Sequence, residues 1–186
     1  MINTCIGNTL NTYTGKIFDF ANPQADQIDI EDIAHALSNI CRWGGHCKFY
    51  SVAEHCVRAF WLARFDHFDD LDLQLAVLLH DAPEAYIGDM PKPLKIMIAQ
   101  YNDIEARIDH LITEKYGAIK PQSKAAIKYY DLVMFKKERE DLFEKHPIDG
   151  VDLENIPYLD NFHLGCWEPS RAKTEFLEAY DKVGQQ

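Results

Sequence analysis

Apolar side chains recur along this chain at intervals of three and four, the spacing that gathers them on one face of a helix. Ile33, Leu37, Ile40 and Cys41 form the first such set, in a helix that should start near Ile30 and stop at Gly44-Gly45. Ser51-Val52-Ala53-Glu54 has the form of a capping box, in which hydroxyl and carboxylate each satisfy an orphan backbone amide, so a second helix runs from Ser51 towards Phe65. Asp70 and Asp72 suit the start of a third at Leu71, which continues to His80-Asp81 before Pro83 perturbs it. Gly88-Asp89-Met90-Pro91-Lys92-Pro93 reads as a loop. A long amphipathic helix follows from about Leu94 to Tyr116, ended by Gly117. Another runs from about Ser123 to Lys145, with Ile127, Tyr130, Met134 and Phe135 as its stripe. His146 to Trp167 looks irregular, and Pro169-Ser170 through Val183 makes a last helix. The first 28 or so residues are irregular, with Lys16 to Phe20 as a short strand or hairpin arm. No repeat or linker interrupts the pattern, so the expected fold is an all-α, single-domain helical bundle over residues 1–186.

Polar residues on the apolar faces change the picture. His80-Asp81 closes the run Leu73-Gln74-Leu75-Ala76-Val77-Leu78-Leu79, where an unpaired polar group is costly. Leu73, Ala76, Val77 and His80 share a face, so the imidazole points inward. Glu84, four residues on, falls about 5–6 Å away on the same side if the helix persists. Asp131 interrupts the stripe of its own helix, and His55 sits on the second helix. One compensator for all of these is a divalent cation held in the bundle interior by ligands from three helices. The plainer reading is a His-Asp hydrogen-bonded pair without metal.

Composition narrows the classes. A formal net charge of -11 repels polyanions and argues against a protein that coats nucleic acid. It leaves room for a small phosphate ester, because a metal and a few local cations suffice inside a cleft. Arg42, Lys48, Lys92 and Lys95 are the candidates, although any single lysine is more often a solvated surface charge. His46, beside the double glycine, is a further polar candidate for phosphate; His35, His67, His110, His146 and His163 read as surface or packing residues. No run approaches the roughly 20 apolar residues of a membrane span, and Met1 to Cys5 lacks the pattern of a signal peptide, so a cytoplasmic location is expected. Cys5, Cys41, Cys47, Cys56 and Cys166 are odd in number and form no CxxC pair, which points to reduced packing residues.

His55, His80-Asp81 and Asp131, in that order on successive helices, resemble the H…HD…D signature of the HD-domain metal-dependent phosphohydrolases. His80 to Lys95 is similar to the HD-x-x-E-x-x-x-G-D-x-P-x-P-x-K block of the bacterial deoxyribonucleoside 5′-monophosphatase branch. Arg42-Trp43-Gly44-Gly45-His46, followed by Tyr50 to His55, is similar to a form found in phage members, among them dATP triphosphohydrolases. The resemblance covers roughly Ile28 to Leu142. It implies that His55, His80, Asp81 and Asp131 bind one divalent ion (zinc, cobalt or manganese) and that Glu84 is the catalytic glutamate. Asp89 would be a second acid beside the substrate, and Arg42 and Trp43 the pair that meets phosphate and sugar. Arg42 stands closer to His55 than its counterpart in the monophosphatases. Asp89 reads equally as a cap of the turn after Gly88, and Trp43 as a core aromatic. Lys92 and Lys95 join Arg42 as phosphate candidates.

The expected activity is therefore hydrolysis of a 2′-deoxyribonucleotide. A dNTP, dATP above all, is favoured because His46 and Lys48 add polar groups for a longer phosphate chain; the alternatives are a deoxyribonucleoside 5′-monophosphatase and a non-catalytic nucleotide-binding module. A two-metal diesterase would call for a further histidine pair. The expected partners are a small deoxynucleotide and, by the resemblance, further copies of the same chain, with neither nucleic acid nor membrane. For a phage protein the compartment would be the host cytoplasm.

Overall fold

Helix caps set most of the element boundaries in the computed structural model, which describes residues 7–117, 123–143, 153–160 and 162–183. The Asp29 carboxylate accepts from the Glu31 amide at 3.0 Å and opens α1 (Ile30–Asn39), which buries Ile33, Ala34 and Leu37. This helix ends before the double glycine. Ile40 is already extended, the Cys41 backbone bridges Ser51, and the Arg42 amide donates to the Tyr50 carbonyl at 2.9 Å. Ser51 caps α2 (Val52–Asp66) by accepting from the Glu54 amide at 3.1 Å. The return half of the expected capping box is absent. The Glu54 carboxylate instead accepts from Arg58 Nε at 2.8 Å and from the Trp167 amide at 2.6 Å. A buried carboxylate gains more from a guanidinium than from one amide.

Asp70 caps α3 (Leu71–Leu78), accepting from the Leu73 amide at 3.0 Å. The helix stops short of His80-Asp81, and the chain crosses Leu79 to Pro83 in tight turns. Glu84 thus begins a separate single turn, α4 (Glu84–Ile87), halted by Gly88 at φ 78. The next helix intrudes on the expected loop: α5 (Lys92–Met97) starts with Pro93 in its first turn, where a missing amide hydrogen costs nothing. Ile98, at φ -120 and ψ 88, separates it from α6 (Ala99–Tyr116), so the single helix expected over Leu94 to Tyr116 is two. No glycine or proline marks that break. Lys95 Nζ donates to Glu105 at 2.6 Å and the Tyr101 hydroxyl to the Gly88 carbonyl at 2.9 Å, so the two arms are fastened across it.

The chain continues through α7 (Ser123–Leu142) and α8 (Pro169–Asp181). The expected extension of α7 to Lys145, and His146, lie outside the described residues. Near the start, β1 (Thr9–Asn11) and β2 (Ile17–Asp19) pair antiparallel in a small hairpin that includes part of the expected strand. The rest of the architecture is helical. In its main core α8 lies across α1 and α2, burying Ala172, Phe176 and Ala179 with Leu37, Val57 and Phe60. A smaller cluster joins α2, α3 and α7 through Ala59, Val77, Tyr130 and Met134. Burying each large side chain stabilises the fold by roughly 1.5–3 kcal/mol, so these clusters rigidify the helices that bear the polar residues described next. Among the described residues no helix is long and apolar enough to cross a membrane.

Candidate metal centre

Packing α2 against α3 and α7 brings together four side chains from three separate stretches of the sequence. His55 Nε2 lies 3.3 Å from His80 Nε2, 3.5 Å from Asp131 Oδ1 and 3.7 Å from Asp81 Oδ2; His80 Nε2 is 3.2 Å from the same Asp81 oxygen. Ligand atoms of His55, His80 and Asp131 all fall within 4.8 Å of one another. Asp81 approaches both imidazoles but groups with His80 and Cys56 rather than with Asp131, so the three-residue set His55, His80 and Asp131, with Asp81 beside it, is a donor set suited to a divalent ion of the zinc, cobalt or manganese kind.

The rings are aimed by their other nitrogens. His80 Nδ1 donates to the Val77 carbonyl at 2.7 Å, the i–3 bond left by the end of α3. His55 Nδ1 donates to Glu138 Oε1 at 2.5 Å, with both side chains completely buried. Carbonyl and carboxylate only accept here, so each Nδ1 carries a hydrogen and Nε2 is the ring atom left to face an ion. Glu138 was not singled out from the sequence. Its signal is its place seven residues after Asp131, four after Met134, on the buried side of α7.

Charge follows the same geometry. Burial pushes the Glu138 carboxyl up, but Arg42 and His55 outweigh it and hold the group below the usual carboxylate range. Asp81 and Asp131 are lowered likewise, against their own burial, chiefly by His80 and His55. Burial would lower His80; Asp81 and the neighbouring Cys56 thiol reverse this and keep the imidazole well above its ordinary value. Cys56, buried beside His80 and pushed up to about 11 by that burial, is a further neighbour of the centre.

Arg42 and Trp43 meet the centre from behind. Arg42 Nη1 is 3.3 Å from Asp81 Oδ2 and its Nε donates to Glu138 Oε2 at 3.0 Å. Trp43 Nε1 donates to the same Glu138 oxygen at 3.1 Å, while its ring stacks on Phe135 at 4.9 Å and meets Phe143 edge-on. Trp43, Gly44 and Gly45 are all left-handed (φ 60, 60 and 78), a conformation that costs about 1–2 kcal/mol at the tryptophan. The Glu138 bond and the stack offset that strain.

Glu84 and Asp89 lie near Asp81. Glu84 is only 6% exposed, and its Oε2 is a buried oxygen without a hydrogen-bond partner. Burial, then Asp81 and Asp89, drive its carboxyl well above the normal range. Burial also raises Asp89, with Arg42 only partly opposing it. Lys95 is committed to Glu105 but close enough to Glu84 and Asp81 to interact with both. The remaining expected phosphate contacts, His46, Lys48 and Lys92, are exposed, and no described contact joins them to the ligands. Lys128 pairs with Asp131 at 2.5 Å. His80 and Asp131 border a cleft of about 590 Å³ between α6 and α7, walled also by Pro83, Asn102, Asp109 and Lys124, which opens the centre to solvent.

No family model matches the chain. Two relatives do. It is 37% identical to the uncharacterized protein YfdR of Escherichia coli over 177 residues, 95% of this chain and 96% of that one. An uncharacterized protein of Rhodobacter capsulatus shares 37% identity over 156 residues, 78% of this chain and 80% of the relative. Identity of that degree across nearly the whole of both chains means that the protein belongs to the same family as YfdR.

Proposed function

We propose that this protein is a metal-dependent phosphohydrolase acting on 2′-deoxyribonucleotides, with the 5′-monophosphate as substrate. The observation that carries the reading is the convergence of His55, His80 and Asp131, with Asp81 beside both imidazoles and the unpartnered Glu84 Oε2 close to Asp81. Both rings are held with Nε2 inward, and the orphaned Glu84 oxygen has no structural bond to make, so the donor set fits a divalent ion and a reacting ligand. A divalent ion on these four side chains would supply Lewis acidity to a phosphoryl oxygen and to water.

The chain's own groups do the rest. Arg42, charged and oriented by Glu138, aligns phosphate oxygens and offsets their charge. Glu84, held protonated more readily than a free glutamic acid, gives its Oε2 proton to the leaving 5′ oxygen. Asp89, also raised, keeps a second acid near that oxygen. Preference for the deoxy sugar rests on the family resemblance of the Arg42-Trp43 pair.

Chain length in the substrate is argued from cations. The sequence favours a triphosphate through His46 and Lys48, but both are exposed with no described contact to the ligands, and Lys95 is paired with Glu105. His46 and Lys48 therefore add no described contact for a longer phosphate chain, which supports the monophosphate; the phage-like form of the Arg42 to His46 stretch keeps dATP as the second reading. Incubating protein loaded with manganese, cobalt or zinc with each dNMP, NMP and dNTP separates them. The expected products are deoxynucleoside and orthophosphate from dNMP, with ribonucleotides slower; tripolyphosphate from dATP selects the second reading, and no turnover with any metal removes both.

A further inference from the structure

Glu138 joins two parts of the site that the sequence keeps 83 and 95 residues away from it. Its Oε1 holds the ring of His55 at 2.5 Å; its Oε2 holds both Arg42 Nε at 3.0 Å and Trp43 Nε1 at 3.1 Å. The carboxylate is fully buried, so water cannot replace a lost partner, and each of its bonds is strengthened by its low-dielectric surroundings. The turn it holds is left-handed at three successive residues, Trp43 to Gly45, and so leans on outside bonds for its shape. One oxygen therefore faces the metal shell and the other the substrate turn.

We infer that Glu138 is a positioning residue that couples occupancy of the metal site to the placement of the Arg42-Trp43 turn, so that a bound ion orders the turn and the turn in return tightens the hold on the ion. This rests on reading the His55, His80, Asp81 and Asp131 cluster as a metal centre. When His55 Nε2 is drawn to a cation, its Nδ1–H becomes a stronger donor, Glu138 is pinned more firmly, and the two donors on Oε2 are fixed with it. Linkage makes the effect reciprocal: whatever loosens the turn must weaken metal binding by the same factor.

The test is a double-mutant cycle read by manganese affinity, with no turnover involved. Trp43→Phe keeps the aromatic stack on Phe135 and removes only the Nε1–H, and Glu138→Gln keeps the size of the carboxylate. Manganese titrations of the full chain by calorimetry are run on the parent, each variant and the double variant, with folding checked by circular dichroism. Glu138→Gln is expected to weaken manganese about 10- to 100-fold, the usual range for a partner of a ligating histidine. Trp43→Phe, which touches no ligand, is expected to weaken it about threefold in the parent and not at all once Glu138 is glutamine. Unchanged affinity in Trp43→Phe, or a threefold loss in both backgrounds, overturns the coupling while leaving the metal centre intact. A parent chain that binds no divalent ion overturns the metal reading and the coupling together. Should Glu138→Gln fail to fold, hydrogen exchange of the Gly45 and His46 amides in the parent decides: slower exchange with manganese supports the coupling, and equal exchange ends it.

Discussion

The two flanks of the candidate metal centre differ in how their polar groups are satisfied. On the α2–α7 flank, His55, Glu138 and Arg42 are buried, Trp43 is half-buried, and each has its partner. On the flank made by residues 79–97, Glu84 keeps an oxygen with no partner and Asp89 sits above its usual range, between turns broken by Gly88 and two prolines. The first flank behaves like a completed network, stable and oriented. The second resembles a site held ready for something absent from the fold, because unpaired buried carboxyls persist only where they serve a ligand or reaction. Under the proposed function the first flank would hold and the second would react.

The largest expected effect comes from Asp81, which faces both rings and Arg42. Asp81→Ala should lower divalent-ion affinity by at least about a hundredfold, seen as loss of metal in elemental analysis after dialysis; normal metal content would remove Asp81 from the ligand set. Next, Glu84→Gln should keep the metal yet lower kcat about 10²- to 10⁴-fold, the share of a general acid. Full activity of that variant would place the reactive carboxyl elsewhere.

The same substitution sharpens the contrast between flanks through stability. A carboxyl whose folded pKa is raised favours the fold only below its unfolded value, near 4.3, and that contribution fades as pH climbs through the folded value. Above the unfolded value the raised Glu84 carboxyl costs the fold stability, so Glu84→Gln should stabilise metal-free protein at pH 7.5, read as a rise in Tm. On the paired flank the sign is opposite. Glu138 lies below its ordinary value, so its contribution is present above about pH 4.3 and is lost as pH falls through its folded value, which Tm measurements between pH 6 and 3 should show weakened in Glu138→Gln.

His80 gives a smaller readout. Asp81 and the Cys56 thiol raise its pKa against burial, so metal-free protein keeps a proton there to higher pH than a free imidazole does, stabilising the fold fully below about pH 6.5 and losing that effect as pH rises through the higher folded value. Loading metal must expel this proton. Calorimetry of manganese binding in buffers of different ionisation enthalpy at pH 7 should report release of about one proton; none released would mean that His80 is already neutral.

Much of this was legible in the chain itself. His80 and Asp131 were marked by their apolar surroundings; the spacing of Tyr130 and Met134 gives the helix that bears Asp131, and that of Leu73 and Val77 gives the helix that ends just before His80. Boundaries were less legible: nothing local in Ile96-Met97-Ile98 signals the break between α5 and α6, which the Lys95–Glu105 and Tyr101–Gly88 fastenings accompany. Glu138 was missed because a glutamate on a helix is usually solvated, and only the third dimension supplies its three partners. Glu54 was taken for a capping carboxylate for the same reason, since its contact with the Trp167 amide spans 113 residues.

That last contact bears on where the polypeptide can be cut. Every motif residue lies between Ile28 and Leu142, yet Glu54, next to His55, grips the backbone at Trp167, and α8 fills the main core with Phe176. A fragment ending at Leu142 would carry the whole chemical inventory and lack the clasp and wedge that keep α2 in place. It should be soluble only as a loosened chain, so the smallest autonomous unit of this protein reaches past its last recognisable motif to the end of α8.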